Sequence, residues 1–214
     1  MDNILQKHRI FVEGKADQVF IRDMLKLFYD ISLNEEQLPQ IIININGKDR
    51  LHKFVPTLQE INNGKRNGGN NLVIFDSDYY EIDSGIETRQ SWLEGLKSEL
   101  GIKFQCFLFT DKKEKEGTIE SLLETCIHPE HKGIFSCWEG FEQCVKGVSE
   151  KYTIPAKKSK IYLYLECLHG PTKKEKDKIK DPNRDFLEEG IWNFDVINNP
   201  LLNELKIFLD KHLS

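Results

Sequence analysis

The sequence has 214 residues, 39% hydrophobic and 30% charged, with a net charge of −5. That balance fits one globular core with a sizeable extension and excludes a disordered chain. The acidic balance also excludes a protein that coats DNA with basic surface, though not a nuclease, whose carboxylates count as negative until their metals arrive. MDNILQKHRI lacks the apolar stretch of a signal peptide, and no apolar run reaches the roughly 18–20 residues of a spanning helix, so a cytoplasmic protein without membrane contact is expected.

In chain order, residues 9–12 read as a short apolar strand ending at Glu13, and Gly14 permits a tight turn. A helix follows from about Ala16 to Tyr29, with Phe20, Met24, Leu27 and Phe28 at helical spacing. Residues 41–45, IIINI, read as a second strand, and Asn46-Gly47 marks a turn. Leu51, Phe54, Val55 and Leu58 suit another helix, in which Pro56 predicts a kink or a break. Asn and Gly crowd residues 61–71, as in an exposed loop. LVIF, residues 72–75, makes a third strand running into Asp76-Ser77-Asp78. Trp92, Leu93, Leu96 and Leu100 give a helix over 87–100, and FQCFLF over 104–109 gives a fourth strand.

Strands alternating with helices imply a mostly parallel sheet with right-handed crossovers. After about residue 110 the pattern turns helical. Thr118 can cap a helix holding Ile119, Leu122 and Leu123, and residues 134–148 are amphipathic. Residues 161–168, IYLYLECL, fit either a strand or a buried helix, and the lysine-rich run 171–181 reads as a solvated loop. Asn199 as cap and Pro200 at the first position start a last helix, with Leu201, Leu205, Phe208 and Leu209 on its apolar face. The expected division is a catalytic core over 1–125 and a helical extension over 126–214, packed on the core as one compact unit.

Parallel strands of a wound α/β sheet end at one edge, where ligands bind. Glu13, Asp76 and Asp78 follow two such strands, so the fold would gather them on one rim. Clustered carboxylates repel, and a cation is the usual remedy. Oxygen donors without nearby Cys or His favour magnesium or manganese over zinc. The five cysteines, Cys106, Cys126, Cys137, Cys144 and Cys167, form no CxxC and suit reduced thiols. Cys126, His128, His131 and Cys137 match no standard zinc spacing and read as packing or surface residues.

IFVEGKADQVFIRDML resembles the first motif of the Toprim family, a strand ending in Glu-Gly before a helix, and LVIFDSDYY resembles the second, a strand ending in Asp-x-Asp. The resemblance is closest to the OLD-like and small standalone Toprim nucleases. Asp17 stands where those nucleases often have a second acid. Asn46-Gly47-Lys48-Asp49 looks like their Gly-Lys turn, and Glu116-Gly117-Thr118-Ile119-Glu120 like their glycine-led segment with a helical Glu. The resemblance covers roughly residues 9–125 and, more loosely, Lys160.

It implies a Rossmann-like Toprim fold and magnesium- or manganese-dependent phosphodiester chemistry on DNA or RNA, with one or two ions, in a defence or repair setting. Asp76 and Asp78 would bind a metal, Glu13 would share it or act as acid–base, and Asp17 and Glu120 would complete a second site. Lys160 would help to stabilise charge, and Lys48 could donate to phosphate at a helix start. For Asp17 and Glu120 the alternative is a helix N-terminal acid held by the dipole. For Tyr79 and Tyr80 the expected role is packing or substrate stacking.

The sequence has no GxxxxGK[ST] motif, so the ATPase half of a full OLD protein is not expected here. A separate ATPase or other partner chain and a homo-oligomer both stay open. Two rivals remain. One is a Toprim subunit without catalysis in a nucleic-acid-processing or antiviral complex. The other is a HAD-like phosphatase, which also ends a strand in DxD but continues differently from Tyr79-Tyr80.

Overall fold

The computed structural model of the chain describes residues 5–66, 68–78, 85–111 and 117–213. Tyr79, Tyr80 and Glu116 lie outside these. Four strands, β1 (Arg9–Val12), β2 (Ile42–Asn44), β3 (Asn71–Asp76) and β4 (Gln105–Phe109), form one sheet. Its order is β2-β1-β3-β4 and every pairing is parallel. The central strands β1 and β3 are buried nearly throughout, as continuous apolar runs in a sheet covered on both faces should be.

Successive side chains of a strand point to opposite faces, and the two cores follow that rule. Ile10, Val12, Leu72 and Ile74 enter one apolar cluster, while Phe11, Val73 and Phe75 enter another. The first cluster is closed by α1 (Lys15–Tyr29), through Val19, Phe20 and Met24. The second is closed by Leu51, Leu58 and Leu93, from the segments between β2 and β4. Burying a side chain such as Phe20 or Leu93 stabilises the fold by roughly 1.5–3 kcal/mol.

A short helix α2 (Leu38–Ile41) precedes β2, and a 3-10 helix over Lys48–Phe54 gives way to α3 (Val55–Asn62) with Pro56 in its first turn. Pro56 thus starts a helix, where its missing N–H costs nothing. The connection from β3 to β4 contains α4 (Ile86–Leu100), ended by Gly101 in the left-handed conformation, φ 62°.

After β4 come the helices α5 (Ile119–Thr125), α6 (Lys132–Val148), α7 (Lys157–His169), α8 (Lys173–Ile179) and α9 (Pro200–His212), joined by irregular segments. Leu122, Ile161, Tyr164, Leu165, Leu202, Leu205 and Leu209 share the cluster that α1 covers. Residues 161–168 therefore belong to a helix, because Ile161, Tyr164 and Leu165 bury one stripe at helical spacing. The run 171–181 corrects the expected loop. Thr172 and Glu175 form a capping box, with Glu175 N donating to Thr172 Oγ1 at 3.3 Å and Thr172 N to Glu175 Oε2 at 3.1 Å. That box starts α8, and buried Ile179 pins its end. At α9, Asn199 Oδ1 accepts from Leu201 N and Leu202 N, both at 3.1 Å.

Candidate functional site

In the β1–β3 register Val12 lies opposite Ile74, so Glu13, one residue on, and Asp76, two residues on, leave the sheet on the same edge. Asp76 N donates to Glu13 Oε1 at 3.1 Å, which ties the two strand ends together. The chain turns at Gly14, the N-cap of α1, whose N–H donates to Asp17 Oδ2 at 2.7 Å. Asp17 thus fills the helix N-terminal role and still faces the other acids. Asp76 Oδ1 accepts from Ile119 N at 2.9 Å, bringing the start of α5, and Glu120 with it, to the same place.

Glu13, Asp17, Asp76 and Glu120 line one cleft of about 340 Å³, which Lys158 and Asp181 also line. Burial, with the charges of Asp78 and Asp17, pushes the Glu13 carboxyl up to about 7. Burial, and then the charge of Glu120, pushes Asp17 up to about 6 against the pull of the Gly14 hydrogen bond. Burial and the charges of Asp17, Glu120 and Glu13 hold Asp76 well above the usual carboxylate range. Such a group of acids favours protons or a cation over mutual ionisation.

The donors are all oxygens, which suits magnesium or manganese. Among the described residues no three acidic, thiol or imidazole side chains are already drawn together closely enough to hold an ion. The zinc-like spacing after residue 125 builds nothing comparable. Cys126 is buried, its thiol pushed up to about 12 by burial, while Cys137 is exposed.

Asp78 stands apart from its motif partner. It lies outside the cleft lining, with Lys48 Nζ 2.5 Å from its Oδ2 and Arg89 paired to the same oxygen. Ser77, between the two acids, is buried and donates from Oγ to Phe109 O at 2.7 Å. Lys160 is also outside the lining. Its ammonium sits 3.6 Å from the Glu124 carboxylate and 4.6 Å from the centre of the Phe135 ring. The lysines that do line the cleft are Lys15, Lys157 and Lys158, the last 3.1 Å from Asp181 Oδ2. Asp181 is held in turn by Tyr162 Oη at 2.6 Å and by Arg184 at 3.1 Å.

Arg89, Lys158 and Asp181 escaped the sequence reading. Arg89 left a signal: it lies three and four residues before Trp92 and Leu93, on the buried face of its helix. Lys158 is one of several lysines in a row, and Asp181 closes a charge run; neither position is distinguishable by spacing.

No helix among the described residues is long and apolar enough to cross a membrane. No curated protein and no solved structure matches the chain. The family model described as "Overcoming lysogenization defect protein-like, TOPRIM domain" matches residues 4–78, a span that contains β1 to β3 with Glu13, Asp17, Asp76 and Asp78. The matched family is a Toprim domain and not a HAD-like phosphatase. Residues 4–78 are thus a Toprim domain of the OLD-like type, set in a parallel α/β sheet of the Toprim class.

Proposed function

We propose that this protein is a metal-dependent phosphodiesterase that cleaves DNA or RNA. The observation that carries this reading is the single cleft in which Glu13, Asp17, Asp76 and Glu120 meet, three of them with carboxyls pushed upward by burial and by one another. Those four would hold magnesium or manganese. Such an ion polarises phosphate oxygens and lowers the pKa of bound water.

The chain's own residues supply the rest. Glu13 would either share that ion or, where it stays off the metal, take up or return a proton at neutral pH, its carboxyl lying near 7 in the metal-free site. Asp76 is oriented by the Ile119 amide, and Asp17 by the Gly14 amide. Lys158 brings a positive charge to the same cleft, where it can offset phosphate charge, and Asp181, Tyr162 and Arg184 fix its position.

A second reading is a metal-binding subunit that acts only with a partner, such as a separate ATPase chain. The outer face of α6 favours it, since Phe141 and Val148 are exposed there. The test is incubation with magnesium or manganese and a panel of single- and double-stranded DNA and RNA, beside Asp76→Asn. Metal-dependent cleavage that the variant lacks is the expected result. Metal binding by the wild type without cleavage of any substrate would shift the reading to the partner-dependent subunit.

A further inference from the structure

Charge is unevenly spread along this chain. Its net charge is −5, yet residues 157–180, which hold α7, α8 and the turn between them, carry eight lysines against three acids. An asymmetry of that size within one acidic chain points to an anionic partner. Five of the eight, Lys173, Lys174, Lys176, Lys178 and Lys180, fall in α8 and its C-cap, and all five are exposed.

Local pairing accounts for two of these lysines. Lys178 Nζ donates to Glu188 Oε1 at 3.0 Å, and Lys180 Nζ to Asp177 Oδ1 at 2.5 Å. Glu175 is committed to the Thr172 capping box. Lys173, Lys174 and Lys176 enter no hydrogen bond, ion pair or ring contact among the described residues. Successive residues of a helix turn by about 100°, so these three share one sector of about 160°, on the side away from buried Ile179. Asp177, the acid within that sector, is turned to Lys180.

This helix leads into the carboxylate cleft. Lys157 and Lys158, at the start of α7, line the cleft, and so does Asp181, two residues past the end of α8. Arg184 Nη2 donates to Ile179 O at 2.9 Å in the interior, which ties the last turn of α8 to the segment carrying Asp181. Seven residues at a rise of about 1.5 Å make α8 about 10 Å long. That length matches about two or three phosphates at the ~3.4 Å spacing of one strand. We propose that Lys173, Lys174 and Lys176 form a phosphate-binding face, which holds the backbone of a nucleic-acid strand about two or three phosphates from the carboxylate cleft, resting on the reading above of that cleft as the cleavage site. Lysine suits such a face, because a compact ammonium on a flexible stem follows phosphates without reading bases. The face therefore adds affinity without sequence preference, and it lies outside residues 4–78, which the family model matches.

The test is binding of labelled oligonucleotides, single- and double-stranded DNA and RNA, measured by anisotropy in calcium over a range of salt. Three proteins are compared: the wild type, Lys173→Gln/Lys174→Gln/Lys176→Gln, and the control Lys7→Gln/Lys65→Gln/Lys103→Gln. The control removes the same charge from residues that precede β1, β3 and β4, at the edge of the sheet opposite the cleft. On the substrate that the wild type binds most tightly, the α8 variant should bind about tenfold or more weakly, with its slope against log salt lowered by about two to three. The control should stay within about twofold of the wild type.

Lys173→Arg/Lys174→Arg/Lys176→Arg keeps the charge and should bind as the wild type does; binding as weak as that of the Gln variant would trace the loss to disturbed packing and overturn the proposal. Wild-type affinity and salt slope in the α8 Gln variant would overturn it too, as would an equal loss in the control, which would make the effect one of overall charge. In these cases the metal-dependent reading stands. Binding that depends on α8, with no cleavage of the bound substrate in magnesium or manganese, would overturn that reading instead and leave the α8 face in place. A wild type that binds none of the oligonucleotides would overturn both.

Discussion

Replacing Glu13 by Gln should make the metal-free protein more stable at alkaline pH relative to the wild type, at the expense of its function. The folded protein raises the Glu13 carboxyl from 4.5 to about 7, through burial first and the charges of Asp78 and Asp17 next. The folded state then holds the proton more tightly than the unfolded state does. The stability linked to that proton is fully present below the unfolded value and is lost as pH rises through about 7. A shift of this size contributes roughly 2.5 kcal/mol near pH 5 and almost nothing near pH 8.

Glutamine does not titrate, and its side-chain oxygen can still accept the Asp76 amide that now bonds Glu13 at 3.1 Å. Between about pH 5 and about pH 8 the stability gap should therefore move in favour of Glu13→Gln by ~2 kcal/mol, or several degrees in melting temperature for a chain of this size. The assay is urea unfolding of both proteins in chelator at the two pH values. Comparison of the two proteins matters because His8, lowered to about 4 by burial, contributes a slope of opposite sign that cancels in the difference. A gap that is the same at both pH values would refute the reasoning. Asp17 and Asp76, also raised, keep part of the wild-type slope in the variant.

Two further outcomes follow from the geometry. Lys158→Met should lower metal-dependent cleavage by about 100-fold with little change in melting temperature, whereas Lys160→Met should act mainly on stability, through Glu124 and Phe135; the reverse pattern in parallel rate and melting measurements would restore Lys160 to the site. Gly117→Ala should destabilise the protein by roughly 1–3 kcal/mol, since a Cβ there would lie 2.7 Å from Asp111 N and 2.9 Å from Thr110 C. Wild-type melting of Gly117→Ala would show that the corner holding Asp78 is looser than its contacts imply.

The sequence by itself determined the sheet and most of the rim. Buried parallel strands must be apolar, so RIFV, IIINI and LVIF declare themselves, and the acids that follow RIFV and LVIF leave on one edge. Asn199-Pro200 announced its helix because capping is local chemistry, legible within four residues. Glu13 and Asp76 are legible because each ends a strand, whereas Asp17 and Glu120 are legible only through the resemblance to the Toprim nucleases.

Only the tertiary structure decided how those acids divide. Asp76 and Asp78 look equivalent in a DxD, but a left-handed backbone and two cations from distant segments, Lys48 and Arg89, draw Asp78 away from the cleft. Lys158 and Lys160 look equivalent in a lysine-rich stretch, but residues two apart on a helix point about 200° apart, so one faces the cleft and the other Glu124 and Phe135. Asp181 joins the site because α8 folds back where a solvated loop was expected. Charges separated by a hundred residues carry no local signal of which one they will meet, and the packing of the helices after residue 118 supplies that information.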